Sequence, residues 1–545
     1  MTASFAQLLA DRAAEAPDRV AVRFPLGKSA TSDWASATFA ELDQRARAVA
    51  AGLRAAGFQR GERAVLLVKP TIDFYPLVFG LFRAGVVPVF IDPGMGRKMA
   101  LACVADIAPA GLVGLTAAHL ASFVLRAPFR SITRRVTVGP RLGWSGPTLA
   151  GLLATPDDHL PPADVTPDDD CVLVFTSGST GAPKAVSLTH RCMRERVEQI
   201  QALLGLTAGD VISETLLVYT ILELCMGLSV VVPPMDLAKP ATVDPAAVFR
   251  TLDTFKPSLA SASPVVWQRF VRTANAQGRR FDHLKLLLTT AAPIPVDLHR
   301  RLASVVPAST QLFTPYGATE AMPISLIGTH EVLAHTAEGT ARGDGICVGQ
   351  PAPGIELRVV PVSDEPMTSV PPSLPAGQVG ELVVRGAGVS AAYRQHPTGN
   401  AMAKVADGDT TWHRMGDLGF LDDDGRLWFC GRVAHRLHTA TGMVPNVPVE
   451  GLFNQHPAVL RSALVGFGPR GGEEAVLCLE LEPGHTWTPA LAEEILALAR
   501  GSRWEGLVRR AVVHPGFPTD TRHNSKIRNE DLRGWLQAQT AVSGR

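Results

Sequence analysis

The chain has 545 residues, enough for several structural units each with its own core, and 46% of it is hydrophobic against 19% charged. Lysine and arginine total 52, aspartate and glutamate 51, for a net charge of +1. That balance excludes a general nucleic-acid or membrane-surface binder, which needs a basic face. Seven cysteines are scattered, odd in number, with no pair at metal-ligand spacing. They read as small buried thiols in a reducing cytoplasm rather than as a disulfide framework.

The N-terminus carries no charged leader and no cleavage signal. Thr38 and Glu41 form a capping box, and Leu42, Ala46, Val49 and Leu53 then recur at helical spacing up to Gly57. Ala64 to Val68 reads as a strand, Asp73 to Ala84 as a helix and Val87 to Ile91 as another strand. This rhythm predicts a parallel, doubly wound sheet. The apolar stretch Ile107 to Leu125 is broken by Pro109 and His119 and predicts a buried helix or strand, not a membrane span.

Cys171 to Phe175 reads as a buried strand and Ala185 to Leu188 as a second one. Between them runs Thr176-Ser177-Gly178-Ser179-Thr180-Gly181-Ala182-Pro183-Lys184. Glycines let backbone N–H groups converge on an anion, hydroxyls add donors and the lysine adds charge, so the stretch suits a polyphosphate. It is not a P-loop: Pro183 precedes the lysine, Ala185 follows it, and the loop joins a hairpin instead of opening a helix.

Met193, Val197, Ile200 and Leu203 mark a helix. Val211 to Pro233 is strongly apolar but holds the carboxyls Glu214 and Glu223. Burying Glu223 is costly unless it is paired or protonated. A substrate contact and a partly exposed strand or helix end are both open readings. Leu286 to Pro293 reads as a strand entering a turn. In Thr314 to Glu320, Tyr316 offers a flat face for a base, and Glu320, three residues after Gly317, a hard oxygen for Mg²⁺. Asp417, next to Gly416, suits two vicinal hydroxyls or a simple turn. Gly425 to Arg432 reads as a strand. Gly466 to Gly471 matches a dinucleotide fingerprint, but an alternating strand follows it, so a hairpin loop is expected.

Taken together, the 176–184 loop, Tyr316-Gly-x-Thr-Glu320, His413 to Asp417 and the final Pro518 to Lys526 segment resemble the signatures of the adenylate-forming superfamily of acyl-CoA synthetases, luciferases and adenylation domains. The resemblance covers nearly the whole chain. It implies an α/β fold: a large N-terminal domain, 1–431, of two doubly wound subdomains plus a small β-barrel around 380–393, then a small mobile α/β domain, 432–545. It also implies ATP and Mg²⁺ as cofactors, with the loop residues Thr176 to Gly181 and Lys184 on the phosphates. Ala291 and Ala292 would lie along the adenine and Tyr316 stack on it, with Gly317 beside it. Thr319 would contact the α-phosphate, Glu320 bind magnesium, Asp417 hold the ribose, Arg432 ribose and phosphate, and Lys526 the acyl carboxylate and α-phosphate.

The sequence also departs from the superfamily pattern. Ala291 replaces a usual glycine, His435 takes the hinge position, Ala440 to Asn446 alters the segment that guides a thiol, and Asn524-Ser525 precedes Lys526. These departures, with Met235-Asp236 and Pro240 to Pro245, resemble the β-lactone synthetases of bacterial olefin biosynthesis. That resemblance implies activation of a small-molecule 3-hydroxy acid as acyl-adenylate, then closure to a β-lactone with release of AMP and pyrophosphate. An acyl-CoA or acyl-carrier-protein ligase and an amide-forming ligase share the same core. No nucleic-acid partner and no integral membrane segment are expected.

Overall fold

The computed structural model describes residues 4–157, 159–176, 183–290, 292, 294–519 and 527–543. Two large sheets dominate it. The first has seven strands, and its centre is parallel: Asp170–Thr176, Val87–Phe90, Arg63–Leu67, Gly111–Leu115 and Arg134–Val138 lie side by side in that order. Parallel neighbours need crossovers, and the helices Phe39–Ala55, Phe74–Ala84, Arg97–Ile107 and Thr116–Val124 punctuate these strands in sequence. The expected capping box starts the first helix: Glu41 N donates to Thr38 Oγ1 at 3.2 Å, and Thr38 N to Glu41 Oε2 at 2.8 Å. Helix Phe74–Ala84 is buried along its whole length, and a Cβ on Gly80 would collide with Val49, so the two helices meet where only glycine fits. The apolar stretch 107–125 resolves into strand Gly111–Leu115 and helix Thr116–Val124.

Lys184–Thr189 returns antiparallel beside Asp170–Thr176, in register from Asp170↔Thr189 to Thr176↔Lys184. This is the hairpin expected from the apolar runs either side of the 176–184 stretch.

The second sheet has fourteen strands. Its core, Ser229–Val231, Val211–Glu214, Leu259–Ala262, Leu286–Thr289 and Gln311–Ala318, is parallel. It continues in antiparallel strands through Ala321–Gly328 and Ile346–Pro351 to Leu427–Arg432, Thr410–Leu421, Gly380–Arg385 and Glu356–Val360. The segment expected as a small barrel is this antiparallel extension. Its last part breaks away, because Tyr393–Arg394 pairs with Lys184–Thr189 and ties the two sheets together. The Glu223 stretch is a helix, Leu217–Met226, with Glu223 buried. The reading of a partly exposed segment end is thereby corrected.

After Arg432 the chain builds a hairpin, Leu437–Thr439 with Gly442–Val444, and a three-stranded sheet, Val459–Phe467, Glu474–Leu481 and Val508–Val513. Gly466 to Gly471 lies at the Val459–Phe467/Glu474–Leu481 hairpin, not at a helix start. This region has a core of its own around Leu437, Val449, Phe453, Leu477 and Ile495. It touches the larger part through Arg436 on Asp364 at 2.5 Å and Trp504 Nε1 on the Gly343 carbonyl at 2.9 Å. No helix among the described residues is long and apolar enough to cross a membrane.

Candidate active site

Two groups of described candidate residues form, Tyr316 with Asp417 and Arg432, and Glu320 with Lys184 about Tyr393. Tyr316 sits near the end of Gln311–Ala318, which turns at Thr319 and Glu320 into Ala321–Gly328. Gly317 makes that hairpin possible, since a Cβ there would lie 2.6 Å from the Ala321 carbonyl oxygen. Asp417 and Arg432 are cross-strand partners on Thr410–Leu421 and Leu427–Arg432. Register therefore delivers acid and base to the same point.

Tyr316 donates its hydroxyl to Asp417 Oδ2 at 2.5 Å, and Arg432 Nη1 lies 2.9 Å from Asp417 Oδ1. Asp417 is sealed, at 2% exposure. Burial and the Asp417 charge raise Tyr316 well above the usual phenol range, so it remains a donor. The same charge raises Arg432 and keeps it cationic. These two contacts fix how the Asp417 carboxylate is turned. The Phe429 ring lies 5.9 Å from that of Tyr316 and fixes its tilt.

A second group lies around Glu320. Its Oε1 accepts the Tyr393 hydroxyl at 2.8 Å, and its backbone carbonyl accepts Ser390 N at 2.7 Å. The Thr319 carbonyl accepts Arg196 Nη2 at 2.9 Å, while Arg196 Nε holds the Gly388 carbonyl at 2.9 Å. Buried Arg196 thus staples the Thr319–Glu320 turn to the segment leading to Tyr393. Lys184 Nζ lies 5.1 Å from the centre of the Tyr393 ring, and Lys404 Nζ 5.3 Å from it. Burial pulls the Lys404 ammonium down to about 7, against the opposing pull of Glu320.

Sequence reasoning missed Arg196, Tyr393 as a partner of Glu320, and Lys404. The signal for Lys404 was one cation within the apolar run Ala401 to Val405. Thr176 and Lys184 are paired at the end of their hairpin. Ala292 follows the buried strand Leu286–Thr289 and is itself half-buried. Ser177, Gly178, Ser179, Thr180, Gly181, Ala291 and Lys526 lie outside the described residues. Thr519 and Ile527, on either side of Lys526 in sequence, pair antiparallel.

Glu223 lies on helix Leu217–Met226. Its side chain meets that of Glu214, at the end of Val211–Glu214, and Glu214 Oε1 also accepts Leu216 N at 2.7 Å. Burial raises Glu214 to about 7, and burial with the Glu214 charge raises Glu223 well above the carboxyl range. Burial, with the Glu214 charge acting on Glu223, favours the protonated form of the pair. His435 follows Arg432 in a short turn, and burial, Arg432 and Arg533 push it down to about 4.

Among the described residues no group of three or more His, Cys, Asp or Glu could hold a metal ion. A lone Glu320 carboxylate, with one oxygen held by Tyr393, fits a cation carried mainly by phosphate oxygens rather than one caged by protein.

Comparison with known proteins finds that the AMP-binding enzyme family profile matches residues 9–394. An olefin beta-lactone synthetase of Stenotrophomonas maltophilia is 38% identical over 98% of this chain and 98% of its own length. A benzoate–CoA ligase of Thauera aromatica is 27% identical over 80% of this chain and 79% of its own length. The structure of the amide bond synthetase McbA from Marinactinospora thermotolerans superposes with a TM-score of 0.80 over 98% of this chain and 99% of that one, at 22% identity, which shows a shared fold.

Proposed function

The chain belongs to the AMP-binding enzyme family, and we propose that it activates a 3-hydroxy carboxylic acid as its acyl-adenylate and closes it to a β-lactone. The observation that carries this reading is the 38% identity, over nearly the full length of both chains, to an olefin beta-lactone synthetase. The site supplies a chemical rationale for the first half-reaction.

A carboxylate oxygen of the acid attacks the α-phosphorus of ATP. The bond from that phosphorus to the bridging oxygen breaks, and pyrophosphate leaves. Such a displacement depends on positioning and on neutralising charge. Asp417, oriented by Tyr316 and Arg432, is assigned to the ribose hydroxyls, and Tyr316 to the adenine. Ala291, Ala292 and Gly317 are assigned to the backbone beside the base. Thr176 to Gly181 and Lys184 are assigned to the phosphates, Thr319 to the α-phosphate, and Lys526 to the acyl carboxylate. Glu320 would hold Mg²⁺, which when bound offsets charge on the phosphate oxygens. In the second half-reaction the substrate's 3-hydroxyl oxygen attacks the activated carbonyl and loses its proton. The acyl carbon–oxygen bond to AMP breaks, and the four-membered ring closes. No external thiol is consumed. Ring strain requires the bound conformation to press the hydroxyl onto the carbonyl while water stays out.

We assign residues 1–431 to the large domain and 432–545 to a smaller one whose rotation would carry Lys526 to and from the cleft. Seven buried cysteines, none in a disulfide, suit a reducing compartment, and we assign the protein to the cytoplasm.

The test is product analysis. Purified protein is incubated with Mg-ATP and a panel of 3-hydroxy acids, with and without coenzyme A. Lactone and AMP are expected in both cases. AMP that appears only when a thiol or amine is present would move the protein to the ligases. Lys526→Ala is expected to lose pyrophosphate release with its melting temperature unchanged. Release at the parent rate would remove Lys526 from the site.

A further inference from the structure

Lys404 has no role in the assignment above, yet it shares the Tyr393 ring with Lys184, assigned to the phosphates, and with Glu320, assigned to the metal. It opens the short strand Lys404–Asp407, which pairs with Thr410–Leu421, the strand that carries Asp417. Its ammonium donates to the Ser390 carbonyl, and Ser390 N in turn holds the Glu320 carbonyl at 2.7 Å. The ammonium also lies 5.3 Å from the Tyr393 ring centre, and the hydroxyl of that ring donates to Glu320 Oε1 at 2.8 Å. Lys184, from the other sheet, packs 5.1 Å from the same ring centre. Two lysines therefore share one aromatic ring, and that ring holds the carboxylate assigned to the metal.

The surroundings of Lys404 are poor for a purely structural lysine. The charged or titratable groups around it are Glu320 on the hairpin turn, Cys192 and Arg196 on helix His190–Leu204, Lys184 on the phosphate-loop hairpin and His413 on the neighbouring strand. Among the described residues no carboxylate forms an ion pair with it. An ammonium has three donors, and one backbone carbonyl satisfies one of them. Burial lowers its proton affinity, so holding the charge here carries a cost. Lys404 remains half-buried, so the site is not sealed. An anion entering the cleft would relieve the cost.

We propose that Lys404 is a positioning residue for the polyphosphate end of ATP. Through Tyr393 and the Ser390 backbone it sets the Glu320 carboxylate, and with Lys184 it places a second positive charge behind the β- and γ-phosphates. The adenosine end is held separately, by Tyr316, Asp417 and Arg432. The proposal rests on the adenylate-forming reading of the site, and its signature is a difference between ATP and AMP, because AMP lacks the phosphates Lys404 serves.

The experiment measures ATP and AMP binding by isothermal titration calorimetry, with magnesium present and no acid. The proteins are the full-length parent, Lys404→Met, Lys404→Arg and Tyr393→Phe. Methionine is close to lysine in shape and removes a poorly paired charge, so a folded variant is expected, checked by its melting temperature. Lys404→Met should bind ATP about tenfold more weakly while its AMP affinity stays within about twofold, since a charge-assisted interaction of this kind is worth about one decade. Tyr393→Phe should show the same split, and Lys404→Arg should recover part of the ATP affinity. Equal losses for ATP and AMP would reduce Lys404 to a packing residue, and no loss for either would remove it from the site; both overturn the proposal. A parent protein that binds neither nucleotide would instead overturn the adenylate-forming reading.

Discussion

Asp417 and the Glu214–Glu223 pair are equally hidden from water, at 2%, 1% and 6% exposure, and they are opposites in chemistry. Asp417 faces an arginine and a phenol, so its charge is matched and its oxygens are aimed. Glu214 faces another carboxyl, so the cheapest way to bury both is to keep a proton between them. Burial alone therefore does not tell a matched, charged carboxylate from a neutral one. The group across from it does. A carboxylate that must receive two hydroxyls has to stay charged and oriented, and only the Asp417 environment provides both.

The largest effect expected from disturbing this contrast follows from Asp417→Asn. The amide keeps the shape but loses the charge that holds Arg432, and one of its faces becomes a donor. Pyrophosphate release should fall by about 100- to 1000-fold, on the scale of losing one aimed polar group in an active site. A loss below fivefold would place the ribose elsewhere. Tyr316→Phe is milder: it keeps the ring and removes the hydroxyl that orients Asp417. The KM for ATP should rise about tenfold with a smaller change in kcat, the cost of one hydrogen bond to a charged group. An unchanged KM would mean Arg432 orients Asp417 unaided.

The smallest effect on activity, under about twofold, is expected for Glu223→Gln, because the amide keeps the shape of a carboxyl that burial and the Glu214 charge hold above the usual range. Its effect on stability should depend on pH. Glu214 has a folded pKa of about 7, above the ordinary carboxyl value, so the folded state binds more protons than the unfolded one. The stability this provides is fully present below the unfolded pKa and is lost as pH rises through the folded value. The parent protein's melting temperature should therefore fall between pH 5 and pH 8 more steeply than that of Glu223→Gln, whose amide can donate to an ionised Glu214. Parallel melting curves across that range would show that the two glutamates do not share a proton.

Much of the fold was legible because its signals are local. The capping box at Thr38, the alternation of strands with helices from Arg63 onward and the hairpin around Thr176 and Lys184 all follow from neighbours in sequence. Tyr316, Glu320, Asp417 and Arg432 were recognisable because each sits in a short motif with a chemical reason for its residue types. Tyr393 and Arg196 were not, because their partners are distant in sequence. The Tyr393–Glu320 hydrogen bond spans 73 positions, and the Arg196 contact with Thr319 spans 123. Glu223 shows the same limit from the other side. The sequence posed its cost correctly, but only the packing of helix Leu217–Met226 against strand Val211–Glu214 revealed that another acid answers it.

The class of chemistry was legible in the linear chain, and so was a set of candidate parts: a loop suited to phosphate, an aromatic proposed for the base, carboxylates proposed for metal and ribose, and a lysine near the C-terminus. Those depend on residue type and short spacing, which a linear string preserves. Which charges meet was settled by packing. Cross-strand register put Arg432 on Asp417, the joining of Tyr393–Arg394 to the phosphate-loop hairpin put Tyr393 between Lys184, Lys404 and Glu320, and helix packing put Glu223 on Glu214. Electrostatic free energy depends on distance and on exclusion of water, and neither exists until the sheets have come together.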